Sequence, residues 1–332
     1  MALAPSLVSR IRGSLYGVAV TDALGGPVEF HRRGTFPLVA SFQYNANFDL
    51  PPGSWTDDTS MTLCLAQSLV ERQGKCDVVD QVEKYVAWFK YGYMSSKAGA
   101  AFDVGNATRV ALNMWDQELK NDKKAAEERG QRSIDSSLNK EVRCGNGSLM
   151  RTTPVALIYY KECESMVDEN TARAGSVTHP HALCVEACQV YVRLICVVLK
   201  SQEQLTKIAL FEVLKAFEFK VPAIKDTFTH YKSLNDFVNV SEAGISSSGF
   251  VLHTLEAALW AFFSTDTFKD GAVKVVNLGD DADTVGAVYG GIAGAYYGME
   301  EIPVEWLRGL VAKEVIDSVV EGVVSIQSSN AL

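Results

Sequence analysis

The sequence has few of the features that mark nucleic-acid-binding, secreted or membrane proteins. Its 332 residues carry 31 Lys and Arg against 40 Asp and Glu, a net charge of −9. An acidic chain repels a phosphate backbone, so we expect no nucleic-acid partner. The N-terminal residues lack the long apolar core of a signal peptide. The most apolar later run, Val190 to Leu199, is short and contains Arg193, which predicts a buried helix. We therefore expect an intracellular protein that acts away from membranes, with the cytoplasm favoured and the nucleus left open.

Cysteine and histidine do not occur at the spacings of a zinc site, and the cysteine pattern does not predict a disulfide framework. The chain has seven Cys and five His, and no Cys-x-x-Cys pair. An odd number of cysteines in a large chain is typical of reduced, mostly buried thiols. Cys184 and Cys188 are four residues apart, and we interpret them as core thiols on one helix face and not as metal ligands.

Alternating apolar patterns, which are typical of strands, are scarce, whereas helical periodicity runs through the chain. Apolar residues recur at spacings of three and four in segments 8–24, 58–73, 77–92, 104–114, 149–160, 181–200, 206–217, 249–264, 284–298 and 303–324. This pattern predicts an all-α fold, with one domain over residues 1–332. No coiled-coil seam or unusual apolar face is visible, so we expect a monomer.

Two polar stretches interrupt the helical pattern. Residues 116–141 predict a surface excursion, and residues 225–248 predict a long loop or short helices. We expect these two stretches to form the variable walls of any binding site.

Four glycines spaced by four residues, from Gly286 to Gly298, lie in an apolar segment near the C-terminus. Each costs a helix roughly 1 kcal/mol relative to alanine, so packing must compensate. Close approach of another helix explains the stripe, and the segment that carries Gly13 and Gly17 is the candidate. The stripe therefore predicts a tightly packed central helix without a chemical role.

Two short acidic sequences each precede an apolar helical segment. They are Thr56-Asp57-Asp58 and Asp281-Ala282-Asp283-Thr284. A single aspartate in each would be explained as a helix cap. Several together repel one another and are penalised by burial, a conflict that a divalent cation resolves. Oxygen donors favour Mg²⁺ or Mn²⁺ over Zn²⁺, and a converged set of this size is enough for two ions about 3.5–4 Å apart.

A glycine-containing loop has the composition of an anion site. Gly145, Asn146, Gly147 and Ser148 lead through Met150 and Arg151 into an apolar helical segment. Glycines let backbone N–H groups turn toward an anion, and Arg151 can pair with an acid or a phosphate. Alone, the sequence fits an ordinary glycine turn before a helix at least as well.

Together these motifs resemble those of the ADP-ribosylglycohydrolase family, especially members similar to the dinitrogenase reductase-activating glycohydrolase. Eight segments occur in the family's order: residues 13–17, 22–30, 55–59, 92–96, 102–106, 145–151, 178–180 and 281–284. The resemblance implies a single compact, orthogonal helical domain with a binuclear Mg²⁺ or Mn²⁺ centre. It also implies hydrolysis of the glycosidic bond between ADP-ribose and an acceptor, with an arginine-type linkage favoured. Thr21 replaces a glycine that is frequent before Asp22 in the family, and we expect only a packing change there.

The resemblance also assigns roles to individual residues. It implies metal coordination by Thr56, Asp57, Asp58, Asp281, Asp283 and Thr284. It implies Glu29 and Asp103 as catalytic acids near the scissile ribose. It implies substrate contacts from Gly145, Asn146, Gly147, Ser148 and Met150 around the diphosphate, and from His179 in the cleft unless that histidine only supports its loop. Tyr93 and Phe250, close to matched motifs, are candidates for stacking on adenine.

Other interpretations stay open at this point. Without the resemblance, Glu29 would be interpreted as a surface salt bridge to Arg32 or Arg33, which contributes little. The expected partner is ADP-ribose, or a protein or small molecule that carries it. The activity could instead be hydrolysis of a small derivative such as ADP-ribose 1″-phosphate. The chain could also be a non-catalytic ADP-ribose-binding protein, or a helical scaffold whose aspartates are only caps.

Overall fold

Helices make up nearly all of the regular structure. The computed structural model describes residues 4–329, which contain sixteen α-helices, six short 3₁₀-helices and two isolated β-bridges. The α-helices are α1 Leu7–Gly25, α2 Asp57–Glu71, α3 Val78–Tyr91, α4 Asn106–Asn121, α5 Ala126–Leu138, α6 Thr153–Tyr159, α7 Glu164–Ser176, α8 Ala182–Lys200, α9 Lys207–Lys215, α10 Pro222–Thr229, α11 Leu234–Val238, α12 Val251–Phe263, α13 Phe268–Val276, α14 Ala282–Tyr297, α15 Val304–Gly309 and α16 Lys313–Ser329. The 3₁₀-helices are Gly26–Val28, Lys123–Ala125, Glu141–Arg143, Leu149–Arg151, Glu242–Gly244 and Met299–Glu301. The all-α prediction is confirmed.

The helices α1 and α14 pack almost backbone to backbone at the centre of the molecule. A Cβ atom built on Gly13 would lie 2.4 Å from the carbonyl oxygen of Gly294, so no larger residue fits. The close approach predicted from the glycine stripe is therefore confirmed. At the other end of the pair, a Cβ atom on Gly25 would lie 2.5 Å from the Cα of Asp283. The end of α1 is thus held against the start of α14.

The most apolar long helix, α8, is a core element. Within the described residues it is the one helix long and apolar enough to cross a membrane by length and composition, and 72% of its most apolar stretch is buried inside the protein. The prediction of a buried helix here is confirmed. Cys184 and Cys188 are both fully buried, and all seven cysteines are free thiols. The interpretation of these two as core thiols agrees with their burial.

Both polar stretches are more helical and better packed than their composition indicates. Residues 116–141 contain the end of α4 and all of α5, which pack on each other and bury Trp115 and Ile134. Residues 225–248 contain the end of α10 and all of α11, where Phe237 is fully buried among other aromatic rings. Each stretch presents polar residues outward while a few apolar side chains attach it to the core.

Several irregular segments meet where α2 and α14 begin. Main-chain hydrogen bonds join the turn after α1 to the turn before α14, from the N–H of Phe30 to the carbonyl of Asp280 (2.7 Å) and from the N–H of Asp280 to the carbonyl of His31 (2.8 Å). The loop before α6 pairs with the residues before α12 through the N–H of Asn146 and the carbonyl of Gly249 (3.1 Å). These long-range pairings bring the predicted site residues together.

Candidate active site

Carboxylate and hydroxyl groups from three helices converge at one point. The hydroxyl oxygen of Thr56, just before α2, lies 2.9 Å from Asp22 Oδ1, 3.1 Å from Asp58 Oδ2 and 3.3 Å from Asp283 Oδ2. One carboxylate oxygen from each of these three aspartates lies within 4.8 Å of the other two. The convergence expected from the two acidic sequences is therefore confirmed.

A second group of carboxylates lies beside the first. Oxygens of Glu29, Asp281 and Asp283 also lie within 4.8 Å of one another. Glu29 is only 5% exposed, and its Oε2 atom has no hydrogen-bond partner; the same is true of the buried Oδ1 atom of Asp58. Buried polar atoms are rarely left unpaired. An oxygen-only donor set with orphaned carboxylate oxygens fits Mg²⁺ or Mn²⁺.

Burial and mutual repulsion raise the pKa values of these acids. Burial raises the pKa of Asp58 well above its usual range, and the charge of Asp283 raises it further. The same two causes raise the pKa of Glu29 far above that of a free glutamate. Burial and the charge of Asp281 raise the pKa of Asp103 to about 7. A divalent cation would offset this repulsion, since it is the larger local charge.

Helix capping does not explain the two acidic sequences. Thr56 is the N-cap of α2 and Asp281 is the N-cap of α14, yet neither side chain accepts a capping hydrogen bond. The Thr56 hydroxyl contacts Asp22, and the Asp281 carboxylate accepts from the side-chain amide of Asn146 at 2.8 Å. By contrast, Asp77 caps α3 in the ordinary way, by accepting from a backbone N–H in its first turn. The interpretation of the site aspartates as caps alone is therefore wrong.

The acidic groups open into a cavity of about 880 Å³, large enough for a small-molecule ligand. Its lining includes the hydroxyl-bearing Thr284 and five acidic residues, Glu29, Asp57, Asp103, Asp280 and Asp281. The remaining predicted residues at its wall are Gly145, Asn146, Gly147, Met150 and His179. Ser148 is buried behind the wall, where its hydroxyl accepts from the thiol of Cys188 at 3.5 Å.

Arg151 supports the glycine loop from behind and does not face the cavity. It is 1% exposed, donates to the carbonyl of Gly147 and, at 2.8 Å, to the hydroxyl of Thr178, and lies 4.9 Å above the ring of Tyr85. Its guanidinium is thus occupied by protein groups. The expected pairing of Arg151 with an acid or a phosphate is wrong, because the side chain turns into the core.

His179 borders the same loop. A Cβ atom built on Gly147 would lie 2.8 Å from His179 Cε1, so the loop passes close to the imidazole. Burial and the nearby charge of Arg151 lower the pKa of His179 to about 3, which leaves the ring neutral near pH 7. Its Nδ1 atom is 2.8 Å from the hydroxyl of Thr178. This environment suits a supporting or hydrogen-bonding residue better than a charged one.

The aromatic and cationic lining differs from the one expected. Tyr93 and Phe250 are partly buried against the core, and neither is at the cavity wall. Phe30 and Val142 are there instead, 68% and 87% exposed, and Arg143 is the one cationic side chain among the described lining residues. Adenine stacking by Tyr93 or Phe250 stays a prediction that this geometry does not favour.

The two polar stretches contribute little to the cavity. None of residues 116–141 lines it, and of residues 225–248 only Ser248 does. The expectation that these stretches form the variable walls is therefore wrong, because the helices that they contain pack away from the cavity.

Two further findings concern residues near the start of the chain. Asp22, which the sequence placed in a motif without a role in the site, is fully buried within the acidic group. The signal for it was a single carboxylate in the otherwise uncharged second half of α1. Glu29 has no ion pair with any described residue, and Arg33 donates to the carbonyls of Leu278 (3.0 Å) and Ile245 (2.7 Å). The interpretation of Glu29 as a surface salt bridge is therefore wrong.

Comparison with known proteins gives consistent results over the whole chain. The ADP-ribosylglycohydrolase family model matches residues 3–331. The ADP-ribosylarginine hydrolase Tri1 of Pseudomonas putida (strain GB-1) is 34% identical over 303 residues, which cover 91% of this chain and 74% of that protein. The ADP-ribosyl-(dinitrogen reductase) glycohydrolase of Rhodospirillum rubrum is 30% identical over 313 residues, covering 93% of this chain and 92% of that protein. A solved structure described as an ADP-ribosylglycohydrolase-related protein complex has a TM-score of 0.76 at 35% identity, covering 96% of this chain and 98% of that one.

Proposed function

Because this chain belongs to the ADP-ribosylglycohydrolase family, we propose that it hydrolyses the glycosidic bond between ADP-ribose and an acceptor and releases ADP-ribose. The observation that carries the proposal is the convergence of two distant acidic sequences on one cavity of about 880 Å³. An arginine linkage is favoured because a relative named as an ADP-ribosylarginine hydrolase is similar over 91% of the chain.

We further propose that two divalent cations, Mg²⁺ or Mn²⁺, bind the acidic group. The proposed ligands are Thr56, Asp57, Asp58, Asp281, Asp283 and Thr284. Support comes from the two sets of carboxylate oxygens within 4.8 Å and from the unpartnered Oδ1 of Asp58. When bound, the ions would orient the ribose hydroxyls and lower the pKa of a water molecule.

Glu29 and Asp103 are the proposed catalytic acids. Both line the cavity beside the proposed ligands, and both have raised pKa values. Cleavage at the anomeric carbon develops positive charge on the ribose ring, which nearby carboxylates stabilise. Two carboxyl groups that line the same cavity can supply the general acid and the general base that this cleavage needs.

The glycine loop is the proposed diphosphate site, and its residues have different roles there. The side-chain amide of Asn146 is already occupied, donating to Asp281 and, at 2.8 Å, to the hydroxyl of Thr254. Asn146 thus orients a proposed metal ligand. Among the described residues, the backbone N–H group of Gly147, which lines the cavity, has no acceptor and is available to an anion. Arg143 on the same wall adds a cationic side chain.

The test is the product chemistry of a small panel of substrates. The protein, with Mg²⁺ or Mn²⁺, is incubated with an ADP-ribosyl-arginine peptide, an ADP-ribosyl-serine peptide and ADP-ribose 1″-phosphate, and the products are identified by mass spectrometry. Release of ADP-ribose and unmodified arginine peptide is expected. Phosphate release from ADP-ribose 1″-phosphate alone would favour a hydrolase of small derivatives. Metal binding without turnover of any substrate would favour a binding protein.

A further inference from the structure

Phe30 and Asp280 lie side by side at the rim of the cavity. The two main-chain hydrogen bonds that join their turns fix one residue next to the other. Both have positive φ angles, 65° for Phe30 and 55° for Asp280. Non-glycine residues adopt this conformation at a cost, and it persists where the surroundings enforce it. The two hydrogen bonds therefore hold the main chains of these two exposed residues next to each other.

These two side chains offer an aromatic face and a carboxylate without partners. Phe30 is 68% exposed and has no ring contact with another described aromatic residue. Asp280 is exposed, and its carboxylate has no hydrogen bond or ion pair with a described residue. A free ring beside an unpaired carboxylate is suited to a planar cation, which can stack on the ring while its N–H groups donate to the acid.

The position of the pair relates it to the bond that is cleaved. Of the five carboxylates that line the cavity, Glu29, Asp57, Asp103 and Asp281 already have proposed catalytic or metal-binding roles, which leaves Asp280. Phe30 follows Glu29 directly in the chain, and Asp280 precedes Asp281 directly. The pair therefore borders the proposed catalytic and metal-binding carboxylates, on their exposed side. A carboxylate there repels a diphosphate and attracts a positively charged acceptor.

We propose that Phe30 and Asp280 form the acceptor subsite and bind the guanidinium group of an ADP-ribosylated arginine. This inference rests on the proposed function and deepens it by identifying residues that select the linkage. The guanidinium stacks on the Phe30 ring and donates to the Asp280 carboxylate. A serine acceptor offers neither a plane nor a positive charge, so the subsite contributes nothing to its binding.

The test separates acceptor binding from ADP-ribose binding. Asp280→Asn removes the charge and keeps the shape, and asparagine tolerates a positive φ. Phe30→Leu removes the ring and keeps an apolar side chain. Asp226→Asn, at an exposed acid on α10, is the matched control. For each protein we would measure kcat and KM on arginine-linked and serine-linked ADP-ribosyl peptides, and the Kd of free ADP-ribose, which has no guanidinium.

In both rim variants KM for the arginine-linked peptide is expected to rise about tenfold, the size of one partly exposed cation–π contact or charge-assisted hydrogen bond. The Kd of ADP-ribose should stay at the value of the control. Weaker ADP-ribose binding in step with KM, or unchanged kinetics in both variants, would overturn the subsite and leave the proposed function standing. Turnover of the serine linkage alone by the unmodified protein would also overturn it. Failure of the unmodified protein to release ADP-ribose from any linkage would overturn the proposed function, and the subsite with it.

Discussion

Asp22 and Thr56, 34 residues apart in the chain, are joined by two hydrogen bonds to one carboxylate oxygen. The backbone N–H and the hydroxyl of Thr56 each lie 2.9 Å from Asp22 Oδ1. The N–H of Thr59 (3.0 Å) and its hydroxyl (2.5 Å) lie near Oδ2 of the same carboxylate. The single carboxylate of Asp22 on α1 therefore accepts hydrogen bonds from both Thr56 and Thr59, and so holds the start of α2, which carries Asp57 and Asp58. Asp22 is a positioning residue for the proposed metal centre.

Replacing Asp22 by asparagine should destabilise the protein when metal is bound. The amide NH₂ replaces one of the two accepting oxygens, so at least one buried N–H group at the start of α2, of Thr56 or Thr59, loses its acceptor, at about 1–3 kcal/mol. We expect a lower urea midpoint in saturating Mg²⁺, where the ion offsets repulsion among the remaining acids. Asp226→Asn should leave the midpoint unchanged. Equal midpoints for Asp22→Asn and the unmodified protein would show that the carboxylate does not hold α2.

Replacing Glu29 by glutamine should slow turnover far more than it affects metal binding. The side chain keeps its shape and loses its proton-transfer capacity, which contributes typically about 10²–10⁴-fold to rate. We expect kcat to fall by about 100-fold or more, while the rise in melting temperature on adding Mn²⁺ persists. Glu305→Gln, at an exposed glutamate of α15, is the control. Full turnover by Glu29→Gln with normal metal binding would remove Glu29 from the catalytic step.

Replacing Gly294 by alanine should disrupt the central helix pair. The new methyl group would lie 1.9 Å from the carbonyl oxygen of Gly13, which is backbone and cannot rotate away. The expected loss is about 3 kcal/mol or more in the free energy of unfolding, at the upper end of overpacking effects. Gly175→Ala in α7 is the matched control, because its nearest neighbour would be 3.6 Å away, and it should gain up to about 1 kcal/mol from helix propensity. Equal stabilities for the two variants would mean that α1 and α14 are not in close contact.

The architecture and the acidic group could be predicted because their signals are local. Helical periodicity can be recognised within each segment alone, and the stripe from Gly286 to Gly298 is explained by a single partner helix. Asp57 and Asp58 repel each other whatever the rest of the fold does, and so do Asp281 and Asp283. Asp22 was harder to recognise, since it stands alone in its helix and its partners are far away in sequence.

The directions of single side chains in the loops could not be predicted. Arg151 is a residue type that often binds phosphate, yet its side chain turns into the core, where it donates to the carbonyl of Gly147 and stacks on the ring of Tyr85. Phe30 belongs to no periodic pattern, and its place at the cavity depends on a backbone hydrogen bond to Asp280, at the other end of the chain. Such directions follow from long-range pairings that become visible only in the folded structure.

The most direct measurement of the central claim is metal dependence of hydrolysis. The protein is stripped with EDTA, returned to Mg²⁺ or Mn²⁺, and assayed for release of ADP-ribose from an ADP-ribosyl-arginine peptide, alongside Asp57→Ala and the control Asp226→Ala. The stripped proteins should be inactive. Metal should restore the unmodified protein and the control but not Asp57→Ala. Undiminished release by the stripped protein, or by Asp57→Ala, would contradict a metal centre built from the two acidic sequences.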